Sequence, residues 1–395
     1  MQMEPRAIRP GVQWLGAVDW DRRLFDSLIP LPDGTSYNAY LITGSDKTAL
    51  LDSVDPAKAD TLLAQLEGVE RIDYVIAHHA EQDHSGTIPL VLERHPEATV
   101  LATAKGVELL AQHLPIPVER FRKVADGEVL SLGDKTLTFV HTPWVHWPET
   151  MVTFLTEERI LFSCDFFGSH LATSDLFVTD EGQVYEAAKR YYAEIMMPFR
   201  RIIQRNLAKL EPYDIAMIAP SHGPIHGRPA FIVDAYRDWV SETPKNEVVI
   251  PYVSTHGSTT KMVDRLVTAL VAQGIKVHQF DLPVTDIGKL AISLVDAATI
   301  ILGTPTIHVG PHPAVFYAAH LANALRPKAR FASVIGSYGW NSKAIEQIAA
   351  LIPDLKVELL TPVLAKGRPV ADDLAAVDRL AAEVSERHRA LFGQS

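Results

Sequence analysis

The chain has 395 residues, 47% hydrophobic and 22% charged, with a formal net charge of −11. That length supports two or three domains with cores of their own, and the acidic balance argues against nucleic acid as a partner. The single cysteine, Cys164, excludes an intrachain disulfide, iron–sulfur clusters and rubredoxin-type iron, all of which need several thiols.

The N-terminus MQMEPRAIRP lacks the apolar stretch of a signal peptide, and no apolar run reaches transmembrane length. A cytoplasmic protein without a membrane partner is expected. In chain order the first half reads as short strands: Val12–Val18, Asn38–Thr43, Thr48–Val54, Ile72–Ala77, Thr99–Ala102, Leu137–His141, Met151–Leu155 and Ile160–Cys164. Helices are expected near Ala57–Leu66, Thr87–Arg94 and, as one long element, Val184–Asn206. This predicts a β-rich layered α+β domain over 1–243.

After the polar stretch Ser241-Glu242-Thr243-Pro244-Lys245-Asn246 the rhythm becomes a regular alternation. Strands Glu247–Val253, Ile275–Phe280, Ala298–Gly303, Phe331–Gly336 and Lys356–Leu360 alternate with helices Thr259–Gln273, Ile287–Val295, Pro313–Leu325, Ser342–Leu351 and Ala371–Phe392. That is the pattern of a doubly wound α/β parallel sheet over 246–395.

The strand Ile72–Ala77 ends in His78-His79-Ala80-Glu81-Gln82-Asp83-His84-Ser85-Gly86, and five of those nine residues can bind a metal. In an extended loop, residues two apart face the same way, so His79, Glu81 and Asp83 converge while His84 turns to a second centre. Nothing in turn chemistry demands such a run. His146 before a strand, Asp165 at the end of Ile160–Cys164, and His222 after the apolar run Ile215–Ala219 repeat the same design. Each alone reads as a turn or capping residue; together they place ligands at strand ends. Cys164 and His226 read as structural, and His78, His170 and His278 as lying outside the ligand set.

The set His79-x-Glu81-x-Asp83-His84, His146, Asp165 and His222 resembles the metallo-β-lactamase fold in the variant found in flavodiiron proteins, also called A-type flavoproteins. Asp19-Trp20-Asp21-Arg22-Arg23, Tyr37-Asn38-Ala39-Tyr40 and Arg190-Tyr191-Tyr192-Ala193 are similar to that family too. The resemblance implies a metallo-β-lactamase-like αββα sandwich followed by a flavodoxin-like domain. It implies one iron on His79, Glu81 and His146, a second on Asp83, His84 and His222, and Asp165 as the bridge. The chemistry agrees, since a carboxylate-rich nitrogen and oxygen set suits iron, whereas the zinc hydrolases of this fold carry histidine where Glu81 stands.

In the second domain, Ser254-Thr255-His256-Gly257-Ser258-Thr259-Thr260 leads from a strand into a helix, which makes an anion cradle without basic side chains. It lacks the Gly-x-Gly-x-x-Gly dinucleotide fingerprint. Two later loops, Gly303-Thr304-Pro305-Thr306-Ile307-His308-Val309-Gly310 and Gly336-Ser337-Tyr338-Gly339-Trp340-Asn341, leave the same sheet edge. Together they resemble the FMN site of flavodoxins, with Ser254–Thr259 on the phosphate and Pro305–His308 and Ser337–Trp340 around the isoalloxazine.

The expected function is electron transfer from an external donor through FMN to a non-heme diiron site. That site reduces dioxygen to water, nitric oxide to nitrous oxide, or both. Two ferrous ions and one reduced flavin hold four electrons, the number dioxygen needs to reach water. Tyr191 or Tyr192 is placed to donate a proton or hydrogen bond near iron, with packing on the long helix as the alternative. Rubredoxin, a reduced deazaflavin or another reductase would serve as donor, and a head-to-tail homodimer is implied. The rivals are a dinuclear zinc hydrolase with an appended flavodoxin domain and a pure electron carrier.

Overall fold

The structure is a computed structural model and describes residues 4–393. The chain divides into two compact units. One runs through Tyr191 and includes Phe199–Val240; the other takes Tyr192–Pro198 and the chain from Ser241 onward.

The first unit is built on two sheets. Seven strands pair in the order Arg6–Arg9, Val12–Asp19, Thr35–Thr43, Thr48–Leu51, Tyr74–Ile76, Thr99–Ala102 and Phe121–Lys123. Five more pair in the order Val129–Ser131, Thr136–His141, Met151–Leu155, Ile160–Cys164 and Met217–Pro220. Alternation along Thr35–Thr43 explains the layering. Tyr40 and Ile42 point into the core between the sheets with Leu137, Phe139, Leu155, Phe162 and Met217. Ala39 and Leu41 face the opposite side, against Leu62, Val91, Val107 and Leu110 of three helices. Each large side chain so buried contributes roughly 1.5–3 kcal/mol. The far side of the second sheet meets helices Arg200–Leu210 and Pro229–Val240, where Ile218 lies beside Leu207, Leu210 and Val233. Helices therefore cover both outer faces of a sheet sandwich.

The second unit is a parallel sheet in the order Lys276–Asp281, Lys245–Tyr252, Ala297–Ile307, Phe331–Tyr338, then the split last strand Glu358–Leu359 and Val363–Lys366. Val248, Ile250, Ile301 and Ile335 bury one face under Met262, Leu266, Val377, Leu380 and Val384 of two helices. Helices Ile287–Leu294 and Pro313–Leu325 take the other. The order reverses between the strands Lys245–Tyr252 and Ala297–Ile307, the switch point where ligands bind in such sheets. At this edge a Cβ on Gly336 would stand 1.9 Å from the carbonyl oxygen of Thr304, so the approach of the two strands admits only glycine.

Two local expectations change. The long helix Val184–Asn206 is instead Glu181–Tyr191, a π-helical turn Tyr192–Met196, a 3-10 turn Met197–Phe199, and Arg200–Leu210. Pro198 has no N–H to continue the ladder and its ring crowds the preceding turn. The metal-rich loop is extended only to Glu81, which caps a short helical turn, Gln82–Ser85, whose His84 and Ser85 N–H groups donate to the Glu81 carbonyl. No helix among the described residues is long and apolar enough to cross a membrane.

Candidate metal centre and flavin loops

Four connections at the C-terminal ends of strands, or between them, deliver the first unit's polar cluster. The strand Tyr74–Ile76 leads to His79, Glu81, Asp83 and His84; Ile160–Cys164 leads to Asp165; Met217–Pro220 leads to His222. His146 comes from the connection between Thr136–His141 and Met151–Leu155. The helical turn at 82–85 separates the first run into two pairs, and this sorts the ligand atoms.

His79, Glu81, His146 and Asp165 offer one group of converging atoms, and Asp83, His84 and His222 another. In the first, Glu81 Oε2 lies 3.0 Å from His146 Nε2 and 3.4 Å from His79 Nε2. In the second, Asp83 Oδ2 lies 3.2 Å from His222 Nε2 and 3.3 Å from His84 Nε2. Asp165 faces both. Its Oδ2 is 3.2 Å from His79 Nε2 and 3.4 Å from His146 Nε2, while its Oδ1 is 3.0 Å from His84 Nε2 and 3.5 Å from His222 Nε2.

The residues fit shared metal ions. Both carboxylate oxygens of Asp83 and Asp165 and the Nε2 of His84 are buried without a hydrogen-bond partner, a costly state unless a cation satisfies them. Ligand atoms about 2.1 Å from a shared ion stand about 3.0–3.4 Å apart at octahedral to tetrahedral angles, a range that holds every observed separation but the 3.5 Å between Asp165 Oδ1 and His222 Nε2. The field points the same way. Burial pulls His84 and His146 down, yet the facing carboxylates outweigh it and push each up to about 9. Against its own burial, Asp165 is held well below the usual carboxylate range by His84 and His79. A cluster this rich in anionic oxygen holds protons only where it lacks cations.

The outer partners are specific. His222 donates from Nδ1 to the Ser36 carbonyl oxygen at 2.6 Å, and the Ser36 hydroxyl accepts from the Gly223 N–H at 2.8 Å. His79 Nδ1 lies 3.3 Å from the sulfur of Cys164, a residue the sequence reading treated as core filler. Burial pushes the Cys164 thiol up, so it is neutral. Beneath the ligands, His78 turns away and pairs with Asp52 at 2.7 Å and Thr153 at 2.8 Å. His226 donates to the Phe167 carbonyl oxygen and is drawn down to about 4 by burial, a structural role. His170 is closer to the centre than expected: its ring lies 4.8 Å from that of His222, and its Nδ1 is 2.9 Å from the Thr35 hydroxyl. Nothing in its sequence context separates it from an ordinary loop histidine.

Tyr191 stands edge-on to His170 at 4.8 Å and 5.9 Å from the His222 ring, and its burial holds the phenol protonated. Tyr192 is buried in the π-helical turn and groups with the second unit.

In the second unit, Gly257, at φ +81°, opens the helix Ser258–Val271, and the Ser254 hydroxyl accepts from the N–H groups of Gly257 and Thr260 at 3.1 and 3.2 Å. Thr259 is buried with its hydroxyl unpartnered; Thr255 and His256 are exposed and Ser258 half-buried. Such a turn of N–H and hydroxyl groups suits a phosphate. The strand Ala297–Ile307 runs through Pro305, Thr306 and Ile307, then reverses at His308 and Val309, with φ +47° and +74°, into Gly310–Pro311. Ser337 and Tyr338 end the next strand, Gly339 follows, and Trp340 is 83% exposed, a bare aromatic face that a flat ring would cover.

Comparisons with known proteins agree with this geometry. The family profile described as ODP family beta lactamase matches residues 35–223. The nitric oxide reductase of Moorella thermoacetica is 37% identical over 366 residues, 90% of this chain and 92% of that one. The coenzyme F420H(2) oxidase of Methanothermobacter marburgensis is 34% identical across 97% of this chain and 100% of its own. Among solved structures, rubredoxin oxygen:oxidoreductase from Desulfovibrio gigas superposes with a TM-score of 0.95 at 29% identity, covering 99% of this chain and 100% of that one. The flavodiiron protein from Giardia intestinalis gives 0.92 at 26%, covering 99% and 98%. With a sandwich bearing two converging ligand groups, a doubly wound parallel sheet, and relatives matched over nine-tenths or more of the chain, the chain belongs to the flavodiiron protein family.

Proposed function

We propose that this chain takes electrons from an external donor through FMN, bound by residues 246–395, to a non-heme diiron centre within 1–243, which reduces dioxygen to water, nitric oxide to nitrous oxide, or both. The observation that carries the reading is Asp165, whose two oxygens face two separate ligand groups. Relatives named nitric oxide reductase, coenzyme F420H(2) oxidase and rubredoxin oxygen:oxidoreductase supply the substrate pair and the donor classes, a deazaflavin or a rubredoxin.

In this reading His79, Glu81 and His146 would hold one iron and Asp83, His84 and His222 the other, with Asp165, which faces both groups, as the shared ligand. When bound, flavin would supply the donor's electrons and an iron pair would supply a Lewis-acidic site for the diatomic substrate. The chain's own part is to fix and neutralise. Three carboxylates offset the charge of the cations, and the protonated Tyr191 phenol offers a hydrogen bond or proton beside His222; Tyr192 is the alternative donor. Ser254–Thr259 would hold the phosphate of FMN, and Pro305–His308 with Ser337–Trp340 would frame its ring. A zinc hydrolase is disfavoured by Glu81 and by the family.

Chemically reduced protein should consume dioxygen or nitric oxide with little peroxide, and His79→Ala should abolish this while leaving FMN bound. Stoichiometric peroxide would assign the chemistry to the flavin, and a zinc-only protein that hydrolyses esters would restore the rival. We place the working unit as a cytoplasmic head-to-tail homodimer. Mixing a His79→Ala, Asp165→Ala variant with one disabled in the 254–260 loop should restore about a quarter of wild-type turnover if electrons cross between chains. No recovery despite subunit exchange would mean each chain works alone.

A further inference from the structure

The imidazole Nδ1 of a metal-ligating histidine almost always donates to a carboxylate, a backbone carbonyl or water, and that partner sets the ring's orientation and its strength as a ligand. His222 follows the rule with a short 2.6 Å bond to the Ser36 carbonyl oxygen. His79 departs from it. Its Nδ1 faces the sulfur of Cys164 at 3.3 Å, and both residues are about 1% exposed, so no solvent substitutes. Sulfur of a neutral thiol is a weak acceptor.

The backbone builds this contact. Cys164 ends the strand Ile160–Cys164 in the left-handed region at φ +53°, immediately before Asp165, and its carbonyl oxygen accepts from the Ser221 N–H at 2.8 Å. The segments bearing Asp165 and His222 are therefore tied at this residue. The sulfur also lies within 4.8 Å of the carboxylate of Asp52 and a ring nitrogen of His78. A carboxylate at that range favours an S–H turned toward itself, with a sulfur lone pair toward His79.

We infer that Cys164 is a positioning residue that acts through His79: its weak sulfur acceptor leaves His79 a poorer donor than a carbonyl-bonded imidazole such as His222, and so raises the potential of the iron that His79 would hold. This rests on the ligand assignment proposed above.

The test compares iron-loaded wild type, Cys164→Ser and Cys164→Ala, with iron retention against a chelator and redox titration followed by EPR. Serine keeps the size and substitutes a stronger oxygen acceptor, so the potential of the iron held by His79 should fall, by about 59 mV for each tenfold gain in ferric over ferrous binding. Alanine leaves the buried Nδ1–H without an acceptor, so that potential should rise and iron affinity should drop about tenfold to a hundredfold. Cys164→Gly is the control for the backbone, since glycine adopts φ +53° freely; it should behave as alanine does. Opposite shifts in serine and alanine support the inference. Equal potentials in all four iron-loaded proteins, or shifts of one sign in serine and alanine, overturn it and make Cys164 a packing residue. A wild type that binds no iron overturns the functional reading as well.

Discussion

Asp165 Oδ1 lies 3.0 Å from His84 Nε2, and neither atom makes a hydrogen bond although both are buried. Its other oxygen lies 3.2 Å from His79 Nε2. A carboxylate that faces two ligand groups neutralises two cations at once, so its loss should cost more than loss of a terminal ligand. Asp165→Ala should purify with little or no iron. His222→Ala should keep roughly one ion per chain, because the group of His79, Glu81 and His146 remains. Metal analysis after anaerobic purification decides this. Equal losses from the two variants would remove Asp165 from the bridging position.

Thr259 carries the corresponding test in the proposed flavin site. Its hydroxyl is buried at the first turn of Ser258–Val271 without a partner, a cost of roughly 1–3 kcal/mol when nothing is bound. A phosphate oxygen there would accept the hydroxyl hydrogen. Thr259→Val keeps the shape and removes the donor, so FMN should bind about tenfold more weakly with the iron content unchanged. Fluorescence titration of the apoflavoprotein reads this directly. Unchanged affinity would place the phosphate elsewhere.

The parts of this architecture that were legible beforehand are those written as side-chain periodicity. The five-fold alternation after Ser241 and the sudden density of ligand residues after Ile72–Ala77 need no partner to be recognised. The parts that were not legible depend on remote partners or on backbone atoms. The helical turn Gln82–Ser85 is four residues long, too short to show a period. The π-helical turn at Tyr192–Met196 sits where apolar spacing continues as if the helix were unbroken. The partner of Cys164 is 85 positions away, and Ser36 holds His222 by a carbonyl oxygen that every residue possesses. His170 gives no signal because its significance comes from the rings of His222 and Tyr191.

Acid should weaken the second unit through His388. Its Nδ1–H donates to Asn246 Oδ1 and its Nε2 accepts from the Thr299 hydroxyl, both at 2.7 Å, and burial brings it down to about 4. The unfolded chain takes up a proton as pH falls through about 6.5, whereas the folded chain does not until about 4. The stabilisation is therefore whole above the first value and is lost progressively between the two. Urea unfolding followed by flavin release should show a lower midpoint at pH 5 than at pH 7. His388→Gln should be less stable at pH 7 and nearly flat over that interval. A wild-type midpoint that does not move with pH would mean that His388 is not held neutral.

Val309 tests whether the flavin loops store strain. The two-residue turn between Ile307 and Gly310 needs positive φ at both central positions, a geometry normally given to Asn-Gly. Here it is made by His308 and Val309, and a β-branched residue at φ +74° is a true outlier. The surroundings enforce it: the Lys343 N–H donates to the Val309 carbonyl oxygen at 2.6 Å, and the Thr306 and Ser342 hydroxyls bond at 2.8 Å across the base of the turn. Residues held this way cost about 1–3 kcal/mol each and gather where a ligand is gripped. Val309→Gly should release that cost and raise the urea midpoint of the second unit, because glycine accepts the conformation without strain. The same change removes the rigidity that presents Pro305–His308, so FMN affinity should fall while stability rises. Stability and affinity measured on one preparation separate the two effects. A less stable variant would show that the Val309 side chain contributes more by packing than it costs by strain, and unchanged FMN binding would show that the turn does not shape the site.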